Sequence, residues 1–338
     1  MEATLPDRAQ TNFFYRHRLM VALLAVIGIV ITVGYLNEPR ITRAVLSSTL
    51  RQSTPLVLGA LCGLWGERSG VINIGIEGQM LLAAFIGFLT SVYTGNLLLA
   101  VSAGVLTGAL LGLLLAFMSV TLKMDQIIGG TVINILALGL TGYYYQQGLL
   151  TQGKLSPVAL GPLADIPLIG PVLFNNPPIT YITLLLVAFS HYLLWYTRWG
   201  LRTRAVGEHP RAADTVGINV YRVRYINVML GGAIAGLAGA FLTLEAVGSF
   251  ERGMTNGRGF LALAVMIFGK WTPLGSWGAA LLVGLTYALN TQFQFMGIAD
   301  IPPQFMGTLP YLITIIVLAV FVGHARPPAA DGIPYEKE

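Results

Sequence analysis

The sequence predicts an all-α, polytopic membrane protein of about ten transmembrane helices arranged in inverted repeats. Three observations lead there. Only 10% of the residues are charged, against about 25% in soluble domains. The hydrophobic set makes up 55%, with 40 glycines besides, and mean hydropathy is +0.70. Apolar runs near the length a helix needs to cross hydrocarbon recur along the whole chain. A soluble fold cannot cover that much apolar surface with so few charges. A soluble enzyme, a secreted disulfide scaffold, a disordered chain and a nucleic-acid binder are thereby excluded. The single cysteine, Cys62, forbids an intrachain disulfide.

The spans follow in order. Residues 1–18 form a short leader that carries Arg8, Arg16 and Arg18. The run Leu19–Leu36 has no small-residue cleavage pattern and reads as an uncleaved span. Next come Ala44–Leu64, with Arg51 near its outer end, and Val71–Val92, with Glu77 inside it. Leu97–Leu122 and Gln126–Leu149 complete the first half, and a proline-rich loop covers 151–178. Ile179–Thr197 leads into a basic loop at 198–224, then Tyr225–Val247. The uncharged run Gly259–Gly269 has only 11 residues, about 16 Å as a helix, or half the hydrocarbon thickness. It is expected to be a short or broken helix, tolerated at depth only inside protein or beside a water-filled path. Leu274–Phe293 and Thr308–Val322 supply the last two spans. The transmembrane domain is thus 19–325, followed by a tail at 326–338.

Arginine and lysine placement sets the sides. The leader is cytoplasmic, and so is the basic loop with Arg198, Arg202, Arg204, Arg211, Arg222 and Arg224. The 151–178 loop holds only Lys154 and Asp165 and is external. Counting the short run as a crossing gives ten crossings and a cytoplasmic tail, in keeping with His324 and Arg326. Arg40 and Arg43 fall outside, against the rule. There is also a faint internal repeat. Gly66-Glu67-Arg68-Ser69-Gly70 opens one apolar run and Phe250-Glu251-Arg252-Gly253 another, on opposite sides, as in inverted-repeat transporters.

Several residues invite a chemical reading. In the basic loop, Pro210–Val216 can form a short helix, with proline in its first turn and Gly217 as its stop. Such a helix is either a docking surface for a partner or an ordinary positive-inside loop. Glu77 is a charge at depth, and it either lines a path or holds a helix bend together. Glu67 and Arg68 read as a loop ion pair. Asn73, Asn134 and Asn290 offer neutral donors and acceptors suited to a polar solute, or serve as glue between helices. Gly104, Gly108 and Gly112, and Gly232, Gly236 and Gly239, mark close helix contacts. Tyr143, Tyr144 and Tyr145, near the outer end of their span, either stack on a base or form an interfacial aromatic belt, and the belt is favoured. Lys154 and Lys270 each follow a glycine, but Leu155 and Trp271 come next, so neither completes a phosphate-cradling loop. His191 and His209 have no metal-ligand spacing, and no nucleophile–base arrangement is present.

The loop residues Gly207-Glu208-His209-Pro210-Arg211-Ala212-Ala213 and Gly217-Ile218-Asn219 resemble the coupling segment of ATP-binding-cassette importer permeases. Glu67 to Gln79, Gly253 to Phe260, Phe268 to Gly275 and Asp165 to Phe174 resemble the nucleoside-type members of the ribose and branched-chain amino acid permease family. The resemblance covers roughly residues 45–325.

It implies a permease fold of the type II importer kind, working by alternating access, and nucleosides as substrate. The partners implied are an ATPase with two cassette domains, a second paralogous permease chain and an external substrate-binding lipoprotein, all at a cell (inner) membrane. ATP and its magnesium would be held by the ATPase, leaving this chain without cofactor, metal or catalytic residue. Arg204, Gly207, Glu208, Arg211, Ala212, Ala213, Gly217 and Ile218 would couple to the ATPase. Asn73, Glu77, Asn134 and Asn290 are the residues expected along the translocation path. A sugar or amino-acid importer of the same build is the alternative. An ion-coupled secondary transporter is disfavoured, since it needs midplane carboxylates.

Overall fold

A computed structural model describes residues 31–296, 308, 312 and 326–337. The leader 1–18, most of the run 19–36 and nearly all of 308–322 lie outside the described residues, so the expected end spans are not described. Helix α1 is seen as residues 31–37. It is followed by α2 (Pro39–Glu67), α3 (Ile76–Thr94), α4 (Leu97–Ala116) and α5 (Gln126–Tyr144). After a loop come α6 (Ile169–Leu173), α7 (Pro178–Tyr196), α8 (Arg198–Glu208), α9 (Pro210–Thr215), α10 (Val220–Ala240), α11 (Arg258–Phe268) and α12 (Pro273–Met296). The only strands among the described residues, Val158–Ala159 and Asn175–Asn176, pair antiparallel within the loop between α5 and α7.

Among the described residues, five helices are long and apolar enough on their own to cross a membrane: α3, α4, α5, α7 and α10, with α4 and α10 each extended by a wide π turn. Helix α2 has 29 residues and α12 has 24, which also suffices by length. The contacts fix their directions. Along α2 and α11, Gly59 meets Ala262 and Gly63 meets Met266, so these two run parallel. Gly284 of α12 meets Thr49 and Ser53, so α12 runs back the other way. Among the described residues, α2, α4, α7 and α11 run toward one end of the molecule and α3, α5, α10 and α12 away from it. That end carries α8, α9 and the 326–337 tail.

Helix starts are set locally. Asn96 and Asp125 cap α4 and α5 with side-chain oxygens on two amides each. The short helix α9 opens on Pro210 and stops at Gly217, whose φ of +83° is the left-handed stop a side chain resists. Helix α11 has 11 residues, as the uncharged run requires. It cannot start earlier, because Gly253, Asn256 and Gly257 all hold positive φ.

One apolar cluster joins α2, α7, α11 and α12 around Leu61, Trp65, Val265 and Val283. Another joins α2, α3 and α10 around Leu58, Met80 and Leu237. Of the glycines expected to mark close contacts, Gly104, Gly108 and Gly112 face Gly232 and Gly236, while Gly239 packs against Met80 and Ala84 of α3. A Cβ on Gly108 would stand 2.2 Å from the Gly232 carbonyl oxygen, and one on Gly236 2.4 Å from that of Gly104. With no apolar drive between helices in lipid, this backbone approach is what holds α4 to α10. Gly108→Leu is therefore expected to separate the pair and abolish detergent-stable protein, whereas Gly139→Leu, with open space around it, leaves yield and melting temperature unchanged. Fluorescence-detected size exclusion of the two variants measures this.

Candidate functional site

The chain leaves α2 at Glu67, and residues 68–75 climb back along it without helix. Asn73 donates to Cys62 Sγ (3.2 Å) and to the Gln79 Oε1 oxygen (3.1 Å), so α3 begins level with Cys62, inside the molecule. Helix α11 begins there too, from the opposite side. Glu77, in the first turn of α3, accepts the Gly257 amide at 2.8 Å and the Gly259 amide at 2.6 Å, one on each carboxylate oxygen. A negative group on the unpaired amides of a helix start is favourable twice over, through hydrogen bonds and through the helix dipole. Gly259 is required by the approach: a Cβ there would lie 2.5 Å from the Glu77 nitrogen.

Asn134 of α5 closes the same break. Its Oδ1 accepts the Gly78 amide (2.7 Å) and its Nδ2 donates to the Ile74 carbonyl (3.1 Å). Asn73, Glu77 and Asn134 thus come together around one helix break, with Glu77 and Asn134 half-buried and Asn73 buried. Asn290 stands apart, far along α12, accepting from Gln294 Nε2 at 2.7 Å.

Glu67 and Arg68 do not pair with each other. Glu67 accepts from the Trp271 indole, and Arg68 Nε donates to the Trp271 carbonyl (2.8 Å) while its guanidinium stacks over Trp195. Both therefore clamp the turn between α11 and α12, where Lys270 and Trp271 hold positive φ. The residues look like neighbours with complementary charge, but the buried indole and the carbonyl of Trp271 need partners and take them.

Glu245 was not among the candidates. It lies in the π turn that ends α10, and its carboxylate takes the Ile179 amide (2.7 Å), the Thr180 amide (3.2 Å) and the Thr180 hydroxyl (2.6 Å) at the start of α7. The acidic residue inside the predicted run Tyr225–Val247 was the available signal. Beside it opens a polar cleft of about 490 Å³ lined by Ser47, Ser48, Arg51, Gln52, Lys154 and Glu245.

At the other end, α8 and α9 form a hairpin. Of the residues expected to couple, Glu208, Arg211, Ala212 and Gly217 are exposed, Arg204 and Ile218 half-buried, and Gly207 and Ala213 buried. Arg204 stacks over Trp195 beside Arg68. Gly207 is a packing residue: a Cβ on it would stand 2.3 Å from the Arg68 carbonyl oxygen. The tail crosses this end. Burial pushes the Asp331 carboxyl in it up to about 7, against the opposing pull of hydrogen bonds from the Glu67 carboxyl and the Gly332 amide and of the Arg224 guanidinium. Among the described residues, no group of His, Cys, Asp or Glu could hold a metal ion.

The family described as the permease component of branched-chain amino acid transport systems matches residues 45–318, and the chain belongs to that family. The chain is similar to the guanosine ABC transporter permease protein NupQ of Bacillus subtilis, 39% identical over 88% of this chain and 98% of that one. The nucleoside ABC transporter permease protein NupC of Lactococcus lactis is 38% identical over 89% and 99%. TsgC13 of Haloferax volcanii, provisionally named a glucose ABC transporter permease protein, is 35% identical over 82% and 91%. The protein is a multi-pass membrane permease subunit of an ABC transporter.

The roles of Glu77 separate by experiment. Glu77→Gln keeps an oxygen for one amide and Glu77→Leu leaves two unpaired, at about 1–3 kcal/mol each. The Leu variant is expected to melt well below the Gln variant in a thermal-shift assay on solubilised protein. Equal melting of both with the wild type contradicts the capping role.

Proposed function

We propose that the protein is the membrane-spanning subunit of an ATP-driven importer that carries nucleosides inward by alternating access. The carrying observation is the end-to-end likeness to NupQ and NupC, which spans 98% and 99% of their lengths. The geometry supports it. An exposed α8–α9 hairpin, bearing the Gly/Ala coupling motif, sits at the end of the bundle where an ATPase with two cassette domains would dock. This end is the cytoplasmic one, with both termini on that side, and the 151–178 loop faces outward. The ATPase holds ATP and magnesium. A paralogous permease chain completes the pathway, and an external lipoprotein delivers the solute.

For the path we assign Glu77 and Asn134 to the wall at the helix break, with Asn73 behind them and Asn290 farther along. Their hydrogen-bonding groups fix the break first and face a solute second. Two helices that start against each other at a polar point, one of them half-length, suit a gate that opens by shifting one helix start against the other. Glucose is the second reading, favoured by the likeness to TsgC13.

The test is uptake of labelled guanosine, adenosine, uridine and glucose in cells lacking the gene and complemented with it. Nucleoside uptake is expected to return with the wild-type gene. With Ala212→Asp it is expected to stay at least tenfold lower. Ala212 is exposed, so this change spares the packing that Ala213→Asp would break. Return of glucose uptake alone overturns the nucleoside reading, and full activity of Ala212→Asp overturns the docking reading.

A further inference from the structure

The segment 326–337 lies as a strap across the end that carries α8 and α9. The Ala330 amide donates to the Gly207 carbonyl (2.9 Å), and the Ala329 amide to the Glu208 carboxylate (3.2 Å). Tyr335 is buried in an apolar cluster with Val206, Ala213, Val220 and Val223. Glu336 pairs with Lys123 ahead of α5, and Lys337 with Asp214 of α9 at 3.6 Å. Arg224 is almost fully buried, and it joins the strap to the helix break. Its Nε donates to the Ser69 carbonyl (3.1 Å) and its Nη1 to the Ile333 carbonyl (2.9 Å). The strap is thus tied to α8, α9, α10 and residues 68–75 together.

Between it and α9 runs a groove of about 580 Å³. Residues His209 to Ala212 form one wall and Ala329 to Glu336 the other. Ile333 is 56% exposed and Val216 75% exposed, with Ala212 and Pro334 exposed beside them. These apolar side chains stand beyond the ends of the long helices, beside the charged residues Glu208, Arg211 and Glu336. Exposed apolar patches of this kind mark contacts between proteins.

We propose that the strap and α9 form one continuous docking surface for the ATPase subunit, with Ile333 and Pro334 contacting it directly. The occupant follows from continuity. The groove shares its wall with the coupling hairpin, so whatever covers Ala212 also covers Ile333. The strap therefore supplies part of the interface, and holds α9 in place through Tyr335 and Asp214. This inference rests on the docking reading above and extends it to a segment outside the coupling motif.

Cys62 is fully buried, so a cysteine placed on the surface is labelled alone. Ile333→Cys and Ala212→Cys, each carrying a benzophenone maleimide, are to be irradiated in membranes holding the intact transporter. Both should yield an adduct identified by mass spectrometry as the ATPase with two cassette domains. Ile333→Asp, which keeps the backbone carbonyl for Arg224, should lower co-purified ATPase and uptake at least tenfold at unchanged membrane level. An adduct from Ala212→Cys but none from Ile333→Cys overturns the strap and leaves the ATPase reading standing. Adducts from neither overturn both. Full uptake by Ile333→Asp also overturns the strap, and if that variant is lost from the membrane the crosslinks decide.

Discussion

The carboxylate of Glu77 on the two amides that open α11 is the constraint on which the rest of the bundle depends. A helix that starts at depth exposes unpaired amides where water is scarce, and each unmet amide costs more than a surface one. A charge at depth is also costly by itself. Brought together, each lowers the other's penalty. The pairing allows α3 and α11 both to begin inside the molecule, and it explains the glycines around it. Gly78 lies against Asn134, Gly130 against Gly75 and Gly259 against Glu77, each too close for a side chain. The break is therefore a tightly packed junction between two helix starts.

The same solution appears twice. Glu245 meets the start of α7 as Glu77 meets the start of α11, each carboxylate reaching across from another helix. The two Glu-Arg pairs also have parallel uses. Glu67 and Arg68 close on Trp271 and Trp195, while Glu251 and Arg252 approach the hydroxyl and the ring of Tyr145 at the opposite end of the bundle. One pair precedes the re-entrant leg into α3, the other the leg into α11. These legs approach the centre from opposite ends, which is the relation an inverted repeat requires. The short sequence match between the two stretches thus has a structural counterpart.

Much of this was legible because it depends on composition and local chemistry. Span lengths follow from apolar runs, the 11-residue helix from its bounding glycines, and α9 from Pro210 and Gly217. The glycine rows could be read as contact surfaces, although only the structure shows that α4 and α10 present them to each other. What stayed hidden depends on partners distant in sequence. Glu67 bonds a residue 204 positions away and Gly257 lies 180 from Glu77, and no local pattern announces either. The candidate path residues were chosen because lipid exposure would penalise them. That argument identifies buried polar groups correctly but does not say whether protein or solute satisfies them. The strap was invisible for a different reason: Pro-Pro-Ala-Ala-Asp-Gly has no periodicity, and its hold comes from backbone carbonyls taken by Arg224 and from one buried tyrosine.

Close contacts also tie the end that carries α8 and α9 to the helix break. Gly207 rests on the Arg68 carbonyl, Arg68 donates to the Trp271 carbonyl, and Ser69 accepts from Arg224. Side chains can change rotamer to absorb a small shift, but main-chain atoms in direct contact cannot. A displacement of α8 at Gly207 is therefore passed directly to the main chain at Arg68 and so to residues 68–75, while the link to the α11–α12 turn runs through the Arg68 side chain. Those two segments lead to the starts of α3 and to the far end of α11, the helices that meet at Glu77. Gly207 and the glycines of the helix break are in this sense parts of one arrangement. At both ends the absence of a side chain brings main chains into contact, and between them lie only α11 and the leg 68–75.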